Sequence, residues 1–156
     1  SRFQRNSVAR SYVFESPVGA EVIIVGMGRV GLGAYEDLAP ELGTKVWGVE
    51  VDKKRAKGFK EQGLNVVFGD GDDIEFWEHI CLKDVKLIML AIPTVTEMKN
   101  ILYQLQQTEY RGRIAAIARF EDERLELISL GADVAFNYYE EVGAGFAEES
   151  RHLIHL

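Results

Sequence analysis

The stretch Ala20–Gly31 reads A-E-V-I-I-V-G-M-G-R-V-G, and it decides the fold. Val22, Ile23, Ile24 and Val25 form a short β-branched run, the composition of a strand buried on both faces. Gly26, Gly28 and Gly31 follow at once in G-x-G-x-x-G spacing, ahead of a helical pattern. Each glycine has a mechanical job there. Gly26 permits the tight turn out of the strand, Gly28 lets the backbone approach a phosphate, and Gly31 lets the helix pack against the strand. The ligand's negative charge then meets unpaired N–H groups at a helix N-terminus. Arg29, inside the loop, could pair with a phosphate, the favoured reading, or simply face solvent.

A glycine pattern alone is a weak signal, so the second strand matters. Lys45–Val49 leads into Glu50, close to the separation of about 20 residues expected for the acid that binds ribose hydroxyls. Glu50 can accept two hydrogen bonds from a ribose diol and would repel a 2′-phosphate. Lys53, Lys54 and Arg55 weaken that exclusion, because a flexible cation could compensate. They read more simply as the solvated first turn of the next helix, with Asp52 as its N-cap or, alternatively, a ligand contact.

Working outward, strand and helix alternate six times. Arg29–Leu42 is read as a helix with Val30, Ala34, Leu38 and Leu42 on one face and a Pro40 that should kink or end its last turn. Asp52–Gln62 is a short charged helix, Val66–Phe68 a third strand, and Ile74–Ile80 a brief helix. Leu87–Ile92 is the fourth strand, with Thr94 opening a helix to about Gln107. Ile114–Ala118, Asp122–Leu130 and Val134–Phe136 follow, and Glu140–Leu156 begins with glycines and ends in a helix. Apolar strands with short links predict an α/β, Rossmann-type, doubly wound parallel sheet of six strands, covered by helices on both faces. The expected division is a basic lead-in over residues 1–19 with Arg2, Arg5 and Arg10, a nucleotide-binding domain over 20–147, and a helix end over 148–156.

In such a sheet the ligand lies across the carboxyl ends of the strands. That gathers Gly26, Met27, Gly28, Arg29, Val30 and Gly31 with Glu50, Val51 and Asp52, with Asp70, Gly71 and Asp72, and with Ala91 and Ile92. Asp70 can accept from an adenine amino group or serve as a turn residue. Two glycines and a helix start account for Asp70, Asp72 and Asp73, so no metal site is expected there. His152 and His155 lack the further ligands of a zinc site.

Composition narrows the classes. With 156 residues, 47% hydrophobic and 28% charged, the chain fits one domain with a sizeable core. A net charge of −7 argues against a nucleic-acid partner. Cys81 is the only cysteine and is read as a small buried hydrophobe. No run of about 18 apolar residues is found to span a bilayer. The initial Ser, in place of Met, is expected of a chain cut from a longer protein or carrying foreign residues at its start. No nucleophile motif and no second lobe accompany the nucleotide fold, so no catalytic residue is expected.

V-I-I-V-G-M-G-R-V-G (Val22–Gly31), V-W-G-V-E-V-D (Val46–Asp52), V-V-F-G-D-G-D-D (Val66–Asp73), I-A-A-I-A-R (Ile114–Arg119) and L-G-A-D-V (Leu130–Val134) together resemble the N-terminal regulator-of-potassium-conductance domain, also called TrkA-N or KTN. Within it, the loop and the Gly-Asp-Gly-Asp segment are most similar to the Kef glutathione-regulated potassium efflux systems. The resemblance implies a regulatory domain on the cytoplasmic side of a potassium-transporting membrane protein, a homodimer that binds AMP or NAD(H). It implies that Gly26, Gly28, Arg29, Val30 and Gly31 hold phosphate, Glu50 the ribose, and Asp70 with Gly71 the adenine side. Arg119 would lie near the ligand crevice or the dimer face. Glutathione or its adducts between protomers are a further ligand left open. Glu50 in place of the family's usual Asp, and Gly71-Asp72 in place of Ala-Thr, are departures that bear on the ligand more than on the fold. The alternative from another class is the nucleotide-binding half of an NAD-dependent oxidoreductase.

Overall fold

Strand β1 (Val22–Val25) is the axis of the molecule, and its alternating side chains feed two separate cores. Ile23 and Val25 join one cluster with Phe76, Trp77, Ile88, Met98, Ile101 and Leu127. Val22 and Ile24 join the other with Met27, Tyr35, Val46, Ala56 and Val66. Period-two alternation forces this division, and helices must therefore cover both faces. The computed structural model describes residues 15–155. Arg2, Arg5 and Arg10 of the expected basic lead-in, and Leu156, lie outside the described residues.

The described elements run β1, α1 (Arg29–Leu42), β2 (Val46–Glu50), α2 (Lys53–Glu61), β3 (Val66–Phe68), α3 (Ile74–His79), β4 (Leu87–Leu90), α4 (Val95–Gln106), β5 (Arg113–Ala118), α5 (Glu121–Ser129), β6 (Val134–Asn137) and α6 (Tyr138–Ser150). The sheet order is β3-β2-β1-β4-β5-β6, with every pairing parallel. This is the doubly wound architecture expected from the sequence. Strand order reverses between β1 and β4, where Val25 pairs with Val49 on one side and Leu90 on the other. That reversal opens a crevice beyond the carboxyl ends of the strands.

The bounds of α1 are as expected, with Pro40 in its last turn and Gly43, at φ of 56°, ending it. Several other local expectations need correcting. The buried face of α1 is set by Gly31 and Tyr35, with Leu38 and Leu42 partly buried; Val30 is exposed. Tyr35 adds an anchor, since its hydroxyl accepts from the Asn65 N–H at 2.8 Å. Strand β4 stops at Leu90, two residues short of the expected end, because Ala91 and Ile92 turn into the crevice instead. The last helix starts at Tyr138 and absorbs Gly143 and Gly145, since the Asn137 side chain caps it by accepting from the Glu140 N–H. Cys81 is exposed rather than buried. It falls in the link after α3, where Ile80 and Val85 supply the core contacts in its place.

At the opposite end of the sheet, Glu21 ties three strands together. Its carboxylate lies 2.8 Å from Lys86 Nζ and 3.3 Å from Lys45 Nζ. Those two ammonium groups, Lys86 foremost, hold the carboxyl of Glu21 below its usual range. A depressed carboxylate stabilises the fold above its unfolded pKa, and that contribution is lost as pH falls through the lower, folded value. Glu21→Gln is therefore expected to melt below the parent at pH 7, with the gap closing as the pH is taken well below 4.5. Melting temperatures of both proteins across that range provide the check. A gap that stays constant down to pH 2 would rule out the ion pair as its cause.

Candidate functional site

The glycine loop is shaped by contacts that only glycine tolerates at two of its three positions. Gly26 turns out of β1 with φ of +97°, and a Cβ there would stand 2.7 Å from the Ala91 carbonyl oxygen. At Gly31 a Cβ would stand 1.7 Å from the Gly26 carbonyl oxygen. Gly28 differs: a Cβ there meets nothing within 4 Å and would project into open space. The N-terminus of α1 behind it has no side-chain cap, whereas Asp52 and Asp73 cap α2 and α3. The first N–H groups of α1, which no helix can satisfy from within, therefore have no side-chain cap either, and Gly28 just ahead of them borders the crevice.

A cavity of about 430 Å³ lies beside this loop. Its walls include Gly26, Met27, Gly28, Glu50, Val51, Asp70, Gly71, Asp72, Ala91 and Ile92, so ten of the residues expected at the site meet in one place. Backbone bonds align their strands: the Gly26 N–H donates to Val49, Ala91 to Val25, and Gly69 to Glu50.

Each acid has a distinct environment. Glu50 is 4% exposed, and its Oε2 accepts from the Asp52 N–H at 2.9 Å. Its Oε1 lies 3.8 Å from Arg55 Nη1. Asp70 Oδ1 accepts from the Asp72 N–H at 2.9 Å, so it shapes its own turn as well as bordering the cavity. That turn is pinned from below, where the buried Trp77 indole N–H donates to the Gly71 carbonyl at 2.6 Å. A buried amphipathic ring finds a partner for its polar tip this way.

Other expected residues stand apart. Met27 borders the cavity, but its side chain is fully buried and packs against Gly48, where a Cβ would come within 2.5 Å of the sulfur. Met27 offers backbone, not side chain. Asp52 spends Oδ1 on the N–H groups of Lys54 and Arg55, which makes it the N-cap of α2. Gly31 is buried behind the loop. Arg29 is exposed at the start of α1 and does not border the cavity.

Arg55, Glu97 and Ile101 also line the cavity, and the sequence reading did not place them there. Glu97 and Ile101 face it because α4 begins directly beyond β4 at the crevice. Arg55 reaches it from the first turn of α2, and its Nη2 donates to the Met27 carbonyl at 2.9 Å. A cation placed three residues after an N-cap, beside the acid that ends β2, is the signal that could have found it.

The TrkA-N domain model matches residues 22–138. The chain belongs to the TrkA-N family. No curated protein matches the sequence. Among solved structures, the domain is similar to the NAD(P)-binding domain of an exopolyphosphatase-related protein from Archaeoglobus fulgidus. That match has 20% identity and a TM-score of 0.78, over 85% of this chain and 98% of that one. It is similar also to the TrkA-N domain of the inner membrane protein ybaL from Escherichia coli, at 24% identity and TM-score 0.74, over 84% and 96%. The AMP-bound Kef CTD from Shewanella denitrificans aligns at 19% identity and TM-score 0.67, over 90% and 81%. At these identities the likeness is one of fold.

The TrkA-N domain carries a second, smaller cavity of about 170 Å³ across the strand reversal. Val30, Arg119, Tyr138 and Tyr139 line it, and Ile92 and Pro93 border both cavities. Arg119 and Val30 therefore belong to this neighbour rather than to the cavity beside the glycine loop. Arg119 is paired: its Nη2 lies 2.8 Å from Glu123 Oε2, and its backbone N–H donates to the same carboxylate. That pairing holds the Glu123 carboxyl below its ordinary value, with Arg119 as the main cause.

Proposed function

We propose that this TrkA-N domain is a regulatory adenine-nucleotide sensor of a potassium efflux antiporter or channel, set by AMP or NAD(H). The observation that carries the reading is the open side of Gly28 beside the buried carboxylate of Glu50, within one cavity. A phosphate would rest on the N–H groups of Arg29, Val30 and Gly31, with Gly26 and Gly28 giving it room; the exposed Arg29 side chain would have to swing in from outside the cavity to add charge. Glu50 would accept from the ribose hydroxyls, and Val51, Asp70, Gly71 and Asp72 would border the adenine. Ala91 and Ile92 would floor the phosphates. The second cavity, with Val30 and Arg119, lies where the far half of a dinucleotide would extend. AMP-bound Kef CTD and the NAD(P)-binding Archaeoglobus domain share the fold and support this choice of ligands.

The same reading divides the chain as the sequence did, with residues 1–19 leading in, 20–147 binding nucleotide and 148–156 closing the helix end. It puts the domain on the cytoplasmic side of the membrane, attached to a transport unit. Among the described residues no helix is long and apolar enough to cross a membrane. The partner most directly supported is a second copy. Val134, Phe136, Tyr139, Val142 and Phe146 are all more than 45% exposed, and α6 has no buried residue. Tyr139, Val142 and Phe146 recur at helical spacing on α6, next in sequence to an edge strand that exposes Val134 and Phe136, and exposed apolar side chains grouped in this way mark an interaction surface. Binding at the crevice would favour one arrangement of the dimer, and the difference would pass to the transporter. Glutathione or an adduct between protomers would be a second input.

Two measurements test this. In a thermal-shift titration, AMP or NAD(H) is expected to raise the melting temperature while NADPH does not, since stabilisation tracks occupancy of the folded state. No shift with any adenine nucleotide would end the sensor reading. Separately, Phe146→Asp combined with Val142→Asp is expected to convert a dimer to a monomer by light scattering, with the melting temperature of the monomer little changed. A dimer that survives both charges is held by some other face.

A further inference from the structure

Arg55 is bound to two parts of the crevice that are distant in sequence. Nη2 donates to the carbonyl of Met27 in the glycine loop, and Nη1 faces Oε1 of Glu50 at 3.8 Å. The remaining oxygen of Glu50 is taken by the Asp52 N–H, at the start of the helix that carries Arg55. A flat guanidinium can serve both acceptors at once, where an ammonium is a single point of charge. The Arg55 group also stands 5.8 Å from the ring of Phe59, one turn further along α2. Glu50 has almost no contact with solvent, so its orientation rests on these partners.

We infer that Arg55 is the positioning residue that makes this crevice select a nucleotide with a free 2′-hydroxyl. The inference rests on the adenine-nucleotide reading above. Arg55 ties the loop to the ribose carboxylate: Nη2 donates to Met27, and Nη1 stands within ion-pair range of Glu50 while the side chain keeps 52% of its surface exposed. A basic residue beside a ribose acid could otherwise receive a 2′-phosphate. Here the guanidinium is turned toward Met27 and Glu50, and Lys53 and Lys54 border a different cavity, so a 2′-phosphate in this crevice meets the Glu50 carboxylate with Arg55 as the one cation among the described lining residues. Removing Glu50 releases Nη1 on the same side of the cavity. The acid and the arginine thus form one selectivity unit, in which each sets what the other can recognise.

The test is calorimetric titration with AMP and with adenosine 2′,5′-bisphosphate. The proteins are the parent, Glu50→Ala, Arg55→Ala, Arg55→Lys and the Glu50→Ala/Arg55→Ala double variant, each checked for an intact melting transition without ligand. The parent is expected to prefer AMP by at least 10-fold. Arg55→Ala should lose about 10-fold in AMP affinity, Arg55→Lys somewhat less, and the double variant should bind AMP no worse than Glu50→Ala alone. Glu50→Ala should gain the bisphosphate by 10-fold or more, and the double variant should lose that gain. Equal weakening toward both ligands in Arg55→Ala, additive with Glu50→Ala, would overturn the inference and leave Arg55 a structural residue. If Arg55→Ala does not fold, the Arg55→Lys arm and the bisphosphate gain in Glu50→Ala still decide it. A parent that binds neither AMP nor the bisphosphate overturns the nucleotide reading itself, an outcome distinct from a parent that binds AMP while the Arg55 variants keep its selectivity.

Discussion

Gly31→Ala is expected to cost this domain about 3 kcal/mol or more, the top of the usual range for overpacking a tight contact. The added Cβ would stand 1.7 Å from the Gly26 carbonyl oxygen and 2.9 Å from its carbon. Backbone is the obstacle, so no side-chain rotation relieves it. Relief requires α1 to move away from β1, yet α1 carries Tyr35, whose ring is in the core and whose hydroxyl holds the Asn65 N–H. The loop's φ of +97° at Gly26 is similarly fixed by the strand pairing on both sides. For a domain of this size each kcal/mol is worth about 2–4 °C in melting temperature, so a fall of about 10 °C is the expected reading. Gly33→Ala is the control. It lies in the same helix with nothing within 4 Å of its Cβ, and it should stabilise by about 0.5–1 kcal/mol through helix propensity. If the two variants melt together, close packing at Gly31 does not hold α1 in place.

The contrast between these glycines explains what the sequence could and could not convey. Strand identity, helix order and sheet order were legible because Ile23 and Ile24 are each apolar where each face needs it, and because the links are short. The crevice was legible for the same reason: topology alone delivers Glu50, Asp70 and Ala91 to one end of the sheet. Side-chain direction was not. The spacing of Val30, Ala34 and Leu38 fits a helical face, but Gly31 must sit against β1, and this rotates α1 so that Val30 turns out to the second cavity. Arg55 looked like one cation in a solvated Lys-Lys-Arg run. Only the approach of Met27 and Glu50, which lie on different strands' ends, gives it two acceptors. Arg119 was placed near the crevice by resemblance, and its commitment to Glu123 depends on α5 starting directly after β5.

Gly28→Val should do the reverse of Gly31→Ala, leaving the fold intact while removing the ligand. Gly28 has φ of −76° and ψ of −160°, extended backbone that a β-branched residue adopts without strain. Its Cβ would enter open space, so the unliganded melting temperature should stay close to the parent's, within the range of an ordinary surface substitution, about 0.5 kcal/mol. The two added methyl groups would occupy the volume in which a phosphate approaches the N–H groups of α1. A 100-fold loss of affinity is the expected outcome. At a concentration 100 times the parent's Kd, AMP stabilises the parent by about 2.7 kcal/mol and the variant by only about 0.4 kcal/mol. A ligand-induced shift of several degrees therefore collapses to about one degree. The pair of measurements separates two proposed jobs within one loop, packing at Gly31 and ligand access at Gly28. If Gly28→Val keeps the full nucleotide shift, the phosphate does not sit on this loop, and the cavity beside Glu50 must be filled from another direction.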